Sequence, residues 1–461
     1  MILRSRPFVI AVFSLLLLLV SVNGQVIKIE EVESKSRPDV NRSRGIKMLH
    51  EIKDVLENYY FDKKYRGIDI NARFKEAAEK IKTLETNAHI FRVIAGVLLE
   101  FDDSHTRFYP PGRSNRVEYG FSMQMIGANC HIVDVKKGSD AEKQGIKIGD
   151  RITKIGQYDV NRDTLWVLNY FIYHLEPMPV LPVTLVDTQQ KERTIGVVAS
   201  FKTLEERKKE AEARRNEVKE NPVKCHRISS ALTACKLRTF VVEKKNIDEM
   251  MRQAVTGSKL ILDLRGNRGG YVRIEEYLAG HFFDREVKIA DMVTRSRTRE
   301  RFAKPVKERF FGGDLVVLID SNSASASEVF ARVIQLEKRG KIVGDVSAGA
   351  VMTSYNMPMA IDRGSAGFQT VTPFGLNVTV ADLIMSDGNR LEKIGVSPDH
   401  PVGPTALALS NRNDPVLAFA AGLLGERITP EDAGKLEFLY KRTEADADDD
   451  DTKDPDDDIT P

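Results

Sequence analysis

The spacing of apolar residues predicts that the folded part of the chain begins with helices. From Ile46 to Leu99 the apolar residues recur at intervals of three and four, for example at Met48, Ile52 and Leu56. That interval is the period of an amphipathic helix, whose apolar stripe faces a core. Two prolines and a glycine near residue 110 then stop any helix. We therefore predict an N-terminal helical subdomain over residues 45–115.

The pattern changes to short strands at about residue 116. The stretch Gly138–Gly156 fits a short helix, a tight Gly-Asp turn and a strand, within a β-domain that we predict over 116–202. Residues 203–222 then carry charges of both signs at helical spacing and end in an Asn-Pro pair. Because this helix has almost no apolar face, we interpret it as a solvated linker.

The third part of the chain alternates buried strands with helices. Leu260–Leu264 and Leu315–Ile319 are continuous apolar runs, and each precedes a turn and a helical stretch. Such alternation predicts an α/β core, over residues 223–428. In the remaining segment, 429–461, residues 444–458 contain ten acids and one lysine. A run so poor in apolar residues cannot bury a core, so we predict a disordered, solvated tail.

Composition and the first residues indicate an exported protein. The 461 residues carry a net charge of only +2, which gives no indication of a nucleic-acid partner. Two arginines precede an apolar run, Phe8–Val22, that is short for a membrane-spanning helix. Small residues favour cleavage between Gly24 and Gln25, so we predict a signal peptide over 1–24 and a polar lead-in over 25–44. Cleavage would leave a secreted or periplasmic protein without stable membrane insertion, and the alternative is an uncleaved anchor.

The cysteines and histidines indicate neither a metal site nor a cofactor. Cys225 and Cys235 are close in sequence, and an exported protein can oxidise them to a disulfide, although two unrelated thiols remain the alternative. Cys130 lies in an apolar, strand-like run and is predicted to be a core residue. The histidines are scattered, there is no His-Glu-x-x-His, and the cysteines lack zinc spacing.

Two strand ends carry residues suited to chemistry. Leu264–Gly270 is a glycine-rich turn between a strand and a helix, where bare backbone N–H groups can stabilise negative charge. Asp320–Glu328 is a run of small residues after another strand, where a serine can stand at a helix N-terminus within reach of a substrate backbone. Alone, the first also fits an ordinary turn or a weak phosphate loop, and the second fits a serine-rich N-cap.

The predicted β-domain resembles a PDZ domain, through the helix, Gly-Asp turn and strand of Gly138–Gly156. This resemblance assigns Tyr119, Gly120 and Phe121 to the loop that binds a peptide carboxylate. In such loops consecutive N–H groups face an anionic chain end, while the extended peptide adds to the sheet edge. It implies protein or peptide partners recognised by their C-terminus. The alternative is a module that only packs against its neighbour.

Together with this domain, the two strand ends resemble the tail-specific, or C-terminal processing, peptidase family. That family combines a crotonase-like α/β core, of the ClpP/crotonase type, with an inserted PDZ β-domain, and here an N-terminal helical subdomain precedes both. The run of small residues contains the family's Ser-Ala-Ser-Ala-Ser-Glu signature. Aligning that signature implies that Ser325 is the nucleophile. It also implies an oxyanion hole formed by the N–H groups of Gly269 and Ala326.

One position departs from the commonest pattern of that family. Many members use a lysine as the general base, and Ala350 occupies its place. The tricorn core peptidase branch instead uses a Ser-His-Ser-Glu tetrad, which Ser104-His105 and Glu392, just before a Gly-Val-Ser-Pro-Asp motif, resemble. The resemblance implies that neutral His105 takes the proton of Ser325, while Ser104 and Glu392 orient the ring.

The sequence therefore predicts an exported serine endopeptidase that needs no cofactor and hydrolyses polypeptides. An inactive PDZ scaffold that binds exported protein tails is the first alternative, and Ala350 favours it. A carrier of apolar ligands is the second, because the retinoid-binding protein of the eye resembles the same core. The filled tetrad positions and the PDZ resemblance disfavour a carrier.

Overall fold

The computed structural model describes residues 38–112, 115–365, 368–436 and 438, and a two-residue ladder near the start of the chain. That ladder pairs β1 (Ser21–Val22) with β2 (Gln25–Val26). The rest of the predicted signal peptide and the acidic tail lie outside the described residues. Among the helices that are described, none combines the length and the apolarity needed to cross a bilayer.

Three helices pack together at the start of the described chain. They are α1 (Pro38–Tyr59), α2 (Ile70–Ile81) and α3 (Asn87–Leu99), with a 3-10 turn at Tyr65–Gly67. α1 begins seven residues before the predicted start at 45, so part of the predicted lead-in is helical. Apolar spacing misses the first two turns of α1 because Asn41 and Gly45 supply their buried face. Gly45 also lets Ile90 of α3 approach closely. Side chains of Asp69 and Thr86 cap α2 and α3.

An antiparallel β-domain follows a short strand, β3 (Arg107–Tyr109). Its strands are β5 (Phe121–Ile126), β6 (Asn129–Val135), β7 (Arg151–Ile155), β8 (Tyr158–Asp159), β9 (Val180–Val186) and β10 (Glu192–Val198). They take the order β10-β9-β7-β6-β5, so β5 is an edge strand. Its helices are α4 (Asp140–Lys143) and α5 (Leu165–Tyr170), and α5 continues into a π turn at Phe171–Leu175.

A two-stranded stalk joins this domain to the rest of the chain. β4 (Asn115–Glu118) enters the domain and pairs with β11 (Ser200–Thr203), which leaves it. The charged helix α6 (Leu204–Glu220) follows directly. The β-domain is therefore an insertion, since both of its ends leave at one point.

The last part of the chain contains two sheets and six helices in its described residues. The first sheet has the order β12-β13-β14-β17-β18-β21 and is parallel except for β12. Its strands are β12 (Val223–Arg227), β13 (Leu232–Leu237), β14 (Lys259–Asp263), β17 (Asp314–Ile319), β18 (Lys341–Gly344) and β21 (His400–Pro401). Buried apolar residues fill β14 and β17, as expected of parallel strands covered on both faces.

The second sheet has the order β16-β15-β20-β19, and β3 pairs with the middle of β20, at residues 375–377. Its strands are β15 (Val287–Thr294), β16 (Thr298–Ala303), β19 (Thr353–Ser365) and β20 (Phe368–Met385). The helices are α7 (Lys244–Ala254), α8 (Val272–Ala279), α9 (Ala326–Leu336), α10 (Ala406–Ser410), α11 (Pro415–Leu423) and α12 (Pro430–Lys435), with a 3-10 turn at Lys307–Arg309.

This topology brings the chemically suited loops to one edge of the parallel sheet. The loops after β14, β17 and β18 all leave its C-terminal edge, where open α/β sheets bind ligands. The pairing of β3 with β20 holds the end of the helical subdomain against the core. The loop before β3, residues 100–106, therefore belongs to the same neighbourhood.

Candidate active site

Ser325 stands at a sharp turn between β17 and α9. Its backbone has φ 54° and ψ −120°, a conformation that residues with a side chain rarely adopt. Such strain at a strand-to-helix turn is typical of a nucleophilic serine, whose Oγ it exposes at the top of a sheet. Two oxygens hold the turn, because Ser325 N–H donates to the Glu328 carboxylate at 3.0 Å and to the Ala350 carbonyl at 2.9 Å.

The glycine-rich turn after β14 packs directly against this serine. A Cβ atom on Gly269 would lie 2.7 Å from Ser325 Cβ and 3.0 Å from the Ala326 nitrogen, and the backbone φ of Gly269 is +98°. Only glycine fits there without strain. The structure differs from the prediction in one respect: Gly269 N–H donates to Asn267 Oδ1 at 2.9 Å, so the predicted oxyanion donor already has a partner.

Buried charges fix the base of that turn. Arg265 donates to Asp263 at 2.7 Å and to Asp414 at 2.7 and 2.9 Å, and all three side chains are buried. Burial disfavours the Asp263 carboxylate, but the Arg265 and Lys236 cations outweigh it and lower the pKa of Asp263. Breaking one partner of such a buried set leaves an unpaired charge, at a cost of about 3–5 kcal/mol. The turn is therefore rigidly held.

His105 belongs to a hydrogen-bonded chain that ends in a carboxylate. Glu392 accepts from Ser104 N–H at 2.7 Å and from Ser104 Oγ at 3.1 Å, and Ser104 Oγ lies 2.6 Å from His105 Nδ1. A hydroxyl has one proton to donate. Because Ser104 Oγ donates to Glu392, it accepts from His105 Nδ1–H. This tautomer leaves His105 Nε2 with a free lone pair.

Two consecutive residues connect this chain to the serine turn. The Ala350 carbonyl accepts from Ser325 N–H, and Val351 N–H donates to Glu392 Oε2 at 3.2 Å. The structure thus links Ser104, Glu392 and the Ser325 turn through the adjacent residues Ala350 and Val351, although residue 104 and residue 392 are 288 positions apart. Ala350, at the position of the missing lysine, contributes backbone atoms to this junction.

Glu328, the last residue of the signature, organises the loop beneath the serine. Its carboxylate is fully buried and accepts from Ser325 N–H, Ala350 N–H at 2.9 Å, Gly349 N–H at 2.7 Å and Ser347 Oγ at 2.6 Å. Burial is the dominant influence and raises the pKa of Glu328 to about 7, against the opposing effect of these four donors. No chemical role for Glu328 was predicted from the sequence.

Asp103 is a second residue that the sequence did not single out. Its buried carboxylate accepts from His105 N–H at 3.0 Å, from Thr379 Oγ1 at 3.0 Å and from Tyr60 O–H at 3.0 Å. Burial, reinforced by the neighbouring Asp103 charge, raises the pKa of Tyr60. Asp103 shapes the turn that presents His105. An acidic residue two positions before the histidine was the available signal, because Asp side chains commonly bond the backbone two residues on.

Tyr119, Gly120 and Phe121 precede and begin β5 and are buried. Tyr119 O–H donates to the Met178 carbonyl at 3.1 Å and accepts from Met178 N–H at 3.0 Å. A Cβ on Gly120 would lie 2.4 Å from Ser139 Cβ. Both aromatic side chains are at most 3% exposed. Neither aromatic side chain of this loop is therefore exposed to a ligand.

The edge of the β-domain lies against the loops of the core. Gln124 on strand β5 donates to Asp320 at 2.8 Å, and the carbonyl of Met125, the next residue of β5, accepts from Ser321 Oγ at 2.6 Å. Arg162 forms an ion pair with Asp345, just after β18. A cavity of about 550 Å³ lies at this boundary. None of the described residues lining it belongs to the Ser-His-Ser-Glu set, so this cavity is separate from those residues.

The structure joins Cys225 and Cys235 by a disulfide, while Cys130 is a buried free thiol. The two half-cystines lie directly opposite each other on the antiparallel pair β12 and β13. Within the described residues, no group of three or more His, Cys, Asp or Glu side chains could hold a metal ion.

Comparisons with known proteins find similar peptidases. Residues 232–402 match the model of Peptidase family S41. The chloroplastic C-terminal processing peptidase of Tetradesmus obliquus is 26% identical over 385 residues, which cover 77% of this chain and 76% of that protein. The carboxy-terminal processing protease CtpB of Bacillus subtilis is 23% identical over 380 residues, 80% of this chain and 70% of that protein.

Among solved structures, mature CPAF complexed with lactacystin has a similar fold. The TM-score is 0.61 at 13% sequence identity, over 86% of this chain and 99% of that chain. At this identity the match concerns the fold alone.

Proposed function

Over residues 232–402 this chain is a member of peptidase family S41, and we propose that it cuts polypeptides with a histidine as general base. The protein is a serine-type peptidase whose relatives are C-terminal processing proteases. Family membership leaves the base open, because Ala350 has no group that accepts a proton. The observation that supports a histidine is the hydrogen-bonded chain from Glu392 through Ser104 to His105.

The reaction begins with proton transfer between two side chains. His105 Nε2 takes the proton of Ser325 as Oγ attacks the substrate carbonyl, and the imidazolium then protonates the leaving amine. The acyl-enzyme that remains on Ser325 is hydrolysed by water, with His105 acting again as the base. The negative Glu392 carboxylate, acting through Ser104, stabilises the imidazolium that forms in each half of the reaction.

Backbone N–H groups at the serine turn stabilise the oxyanion. Ala326 follows the nucleophile at the start of α9, where the positive end of the helix dipole favours negative charge. Gly269 N–H can exchange its bond to Asn267 for the oxyanion, which is charged and therefore the stronger acceptor. The oxyanion hole of this proposal thus forms fully only when a substrate is present.

We further propose that the core is of the crotonase type and that the inserted β-domain is a PDZ domain that captures chain ends. Strand β5 follows the loop 119–121 and is an edge strand, and its part before the Met125 contact with Ser321 supports this proposal, because an extended peptide can add to a sheet edge. A peptide with a free C-terminal carboxylate should bind more tightly than its amidated form. Equal affinities in calorimetry would leave the domain as a packing module.

We also propose that the protein is exported, because an apolar run, Phe8–Val22, follows two arginines near the start of the sequence.

Hydrolysis of an unfolded protein tests the proposed function. Ser325→Ala should abolish turnover while the circular dichroism spectrum and the urea midpoint stay those of the wild type. Ser410→Ala, on the exposed surface of α10, is the matched control and should retain full activity. If the wild type hydrolyses no substrate between pH 5 and pH 9, the protein is an inactive scaffold, and the proposal fails.

A further inference from the structure

The single tryptophan of the chain lies beside the candidate catalytic residues, although it belongs to the β-domain. Trp166 is on helix α5 and is half-buried. The Lys393 ammonium lies 4.0 Å from the centroid of its ring, and the Arg107 guanidinium carbon lies 5.2 Å from it. Both distances are within the range of cation–π contact. One aromatic ring therefore contacts two cations from other parts of the chain.

Each of those cations is a close neighbour of a tetrad residue. Lys393 directly follows Glu392, and Arg107 is two residues after His105. Lys393 has a strained backbone with φ 62°, and its N–H donates to the Gly349 carbonyl at 2.8 Å. A shift of Lys393 would therefore move both Glu392 and the loop that contacts the serine turn.

Among the described contacts, the Trp166 ring is the partner that Lys393 and Arg107 share. Arg107 Nε is buried and has no hydrogen-bond partner, and the Lys393 ammonium has only a loose ion pair, 3.6 Å from Asp102. Burial lowers the pKa of Lys393 and the positive charge of Arg107 acts in the same direction, while the carboxylates of Asp102 and Glu392 oppose them. Two like charges in a half-buried setting repel each other. An aromatic face attracts both, which offsets that repulsion.

We propose that Trp166 is a positioning residue. Its ring holds Lys393 and Arg107 and thereby keeps Glu392 and His105 in the positions that catalysis requires. The β-domain then has a second role beside peptide capture, because its helix α5 completes the support of the catalytic residues. This inference rests on the proposed function of the tetrad. It assigns to Trp166 an effect on the chemical step and none on the binding of a short substrate.

Steady-state kinetics with a short fluorogenic peptide separate these effects. Trp166→Leu removes the aromatic face and should lower kcat by about 5- to 30-fold with KM within about twofold of the wild type. Trp166→Phe keeps an aromatic face and should retain kcat within about threefold. A ring that only lines a peptide groove would instead raise KM and leave kcat unchanged. Phe310→Leu, at the opposite end of β17 from Ser325, is the control and should change neither constant.

A double variant tests the path through the lysine. If Trp166 acts through Lys393, the loss of kcat in Trp166→Leu with Lys393→Met should be no larger than the larger single loss. Multiplied losses would show independent roles and overturn the inference, as would unchanged kcat in Trp166→Leu. Urea midpoints of every variant exclude misfolding as the cause. If the wild type is inactive, the proposed function fails; if it is active and Trp166→Leu is too, only the positioning role fails.

Discussion

Replacing Glu328 by glutamine tests how the serine turn is held. The buried carboxylate accepts four hydrogen bonds, two on each oxygen. A glutamine amide offers one acceptor oxygen, so its NH₂ group would face two donors. A buried donor left without a partner costs about 1–3 kcal/mol. Glu328→Gln should therefore lower the free energy of unfolding by about 2–6 kcal/mol relative to the ionised wild type. This loss is partly offset because the glutamine variant, unlike the ionised wild type, buries no charge.

That offset depends on pH, in a direction that the structure sets. Burial raises the pKa of Glu328 from 4.5 to about 7, so the folded protein binds this proton more tightly than the unfolded chain does. The stabilisation by the neutral carboxyl is complete below pH 4.5 and is lost as pH rises through 7. At about 1.4 kcal/mol per pH unit, the interval corresponds to at most about 3 kcal/mol. The advantage of wild type over Glu328→Gln should shrink by up to this amount between pH 5 and pH 8.

Urea unfolding at pH 5, 6, 7 and 8, followed by circular dichroism, measures this difference directly. The exposed Glu79→Gln on α2 is the matched control and should follow the wild-type pH dependence. If the difference in unfolding free energy between the wild type and Glu328→Gln stays constant from pH 5 to pH 8, the raised pKa of Glu328 is refuted. A difference that grows with pH would show that the four donors outweigh burial.

Four further changes test other parts of the protein. His105→Ala should reduce kcat by about 10²- to 10⁴-fold and Glu392→Gln by less, because Glu392 acts through Ser104; full activity in His105→Ala would exclude it as the base. Gly269→Ala places a Cβ 2.7 Å from Ser325 Cβ and should reduce kcat by at least about 10²-fold, and wild-type turnover would show that the turn can yield. Reducing the Cys225–Cys235 disulfide should lower the free energy of unfolding by about 2–3 kcal/mol, and an unchanged urea midpoint would contradict this.

The local parts of this architecture can be predicted from the sequence because their signals are local. Continuous apolar runs mark β14 and β17, and the small residues after β17 identify the turn that presents Ser325. The family resemblance drawn from these motifs agrees with the match of residues 232–402 to the model of Peptidase family S41. The helical subdomain was predicted to start too late because the first two turns of α1 bury an asparagine and a glycine, which apolar periodicity does not count.

The long-range parts could not be predicted from spacing. Nothing in the sequence near Glu392 shows that it contacts Ser104, and only a resemblance suggested that pair. The four partners of Glu328 and the meeting of Trp166 with Lys393 depend on how separate loops pack. Such contacts follow from tertiary structure, which no local period encodes.

The central claim is that Ser325 is a nucleophile activated by His105, and a fluorophosphonate probe tests it most directly. Incubation of the wild type, proteolysis and mass spectrometry should locate the label on Ser325. His105→Ala should be labelled at least about 10²-fold more slowly, because general-base assistance is lost. A label on Ser323 or Ser327, no label on the wild type, or equal rates in the wild type and His105→Ala would contradict the claim.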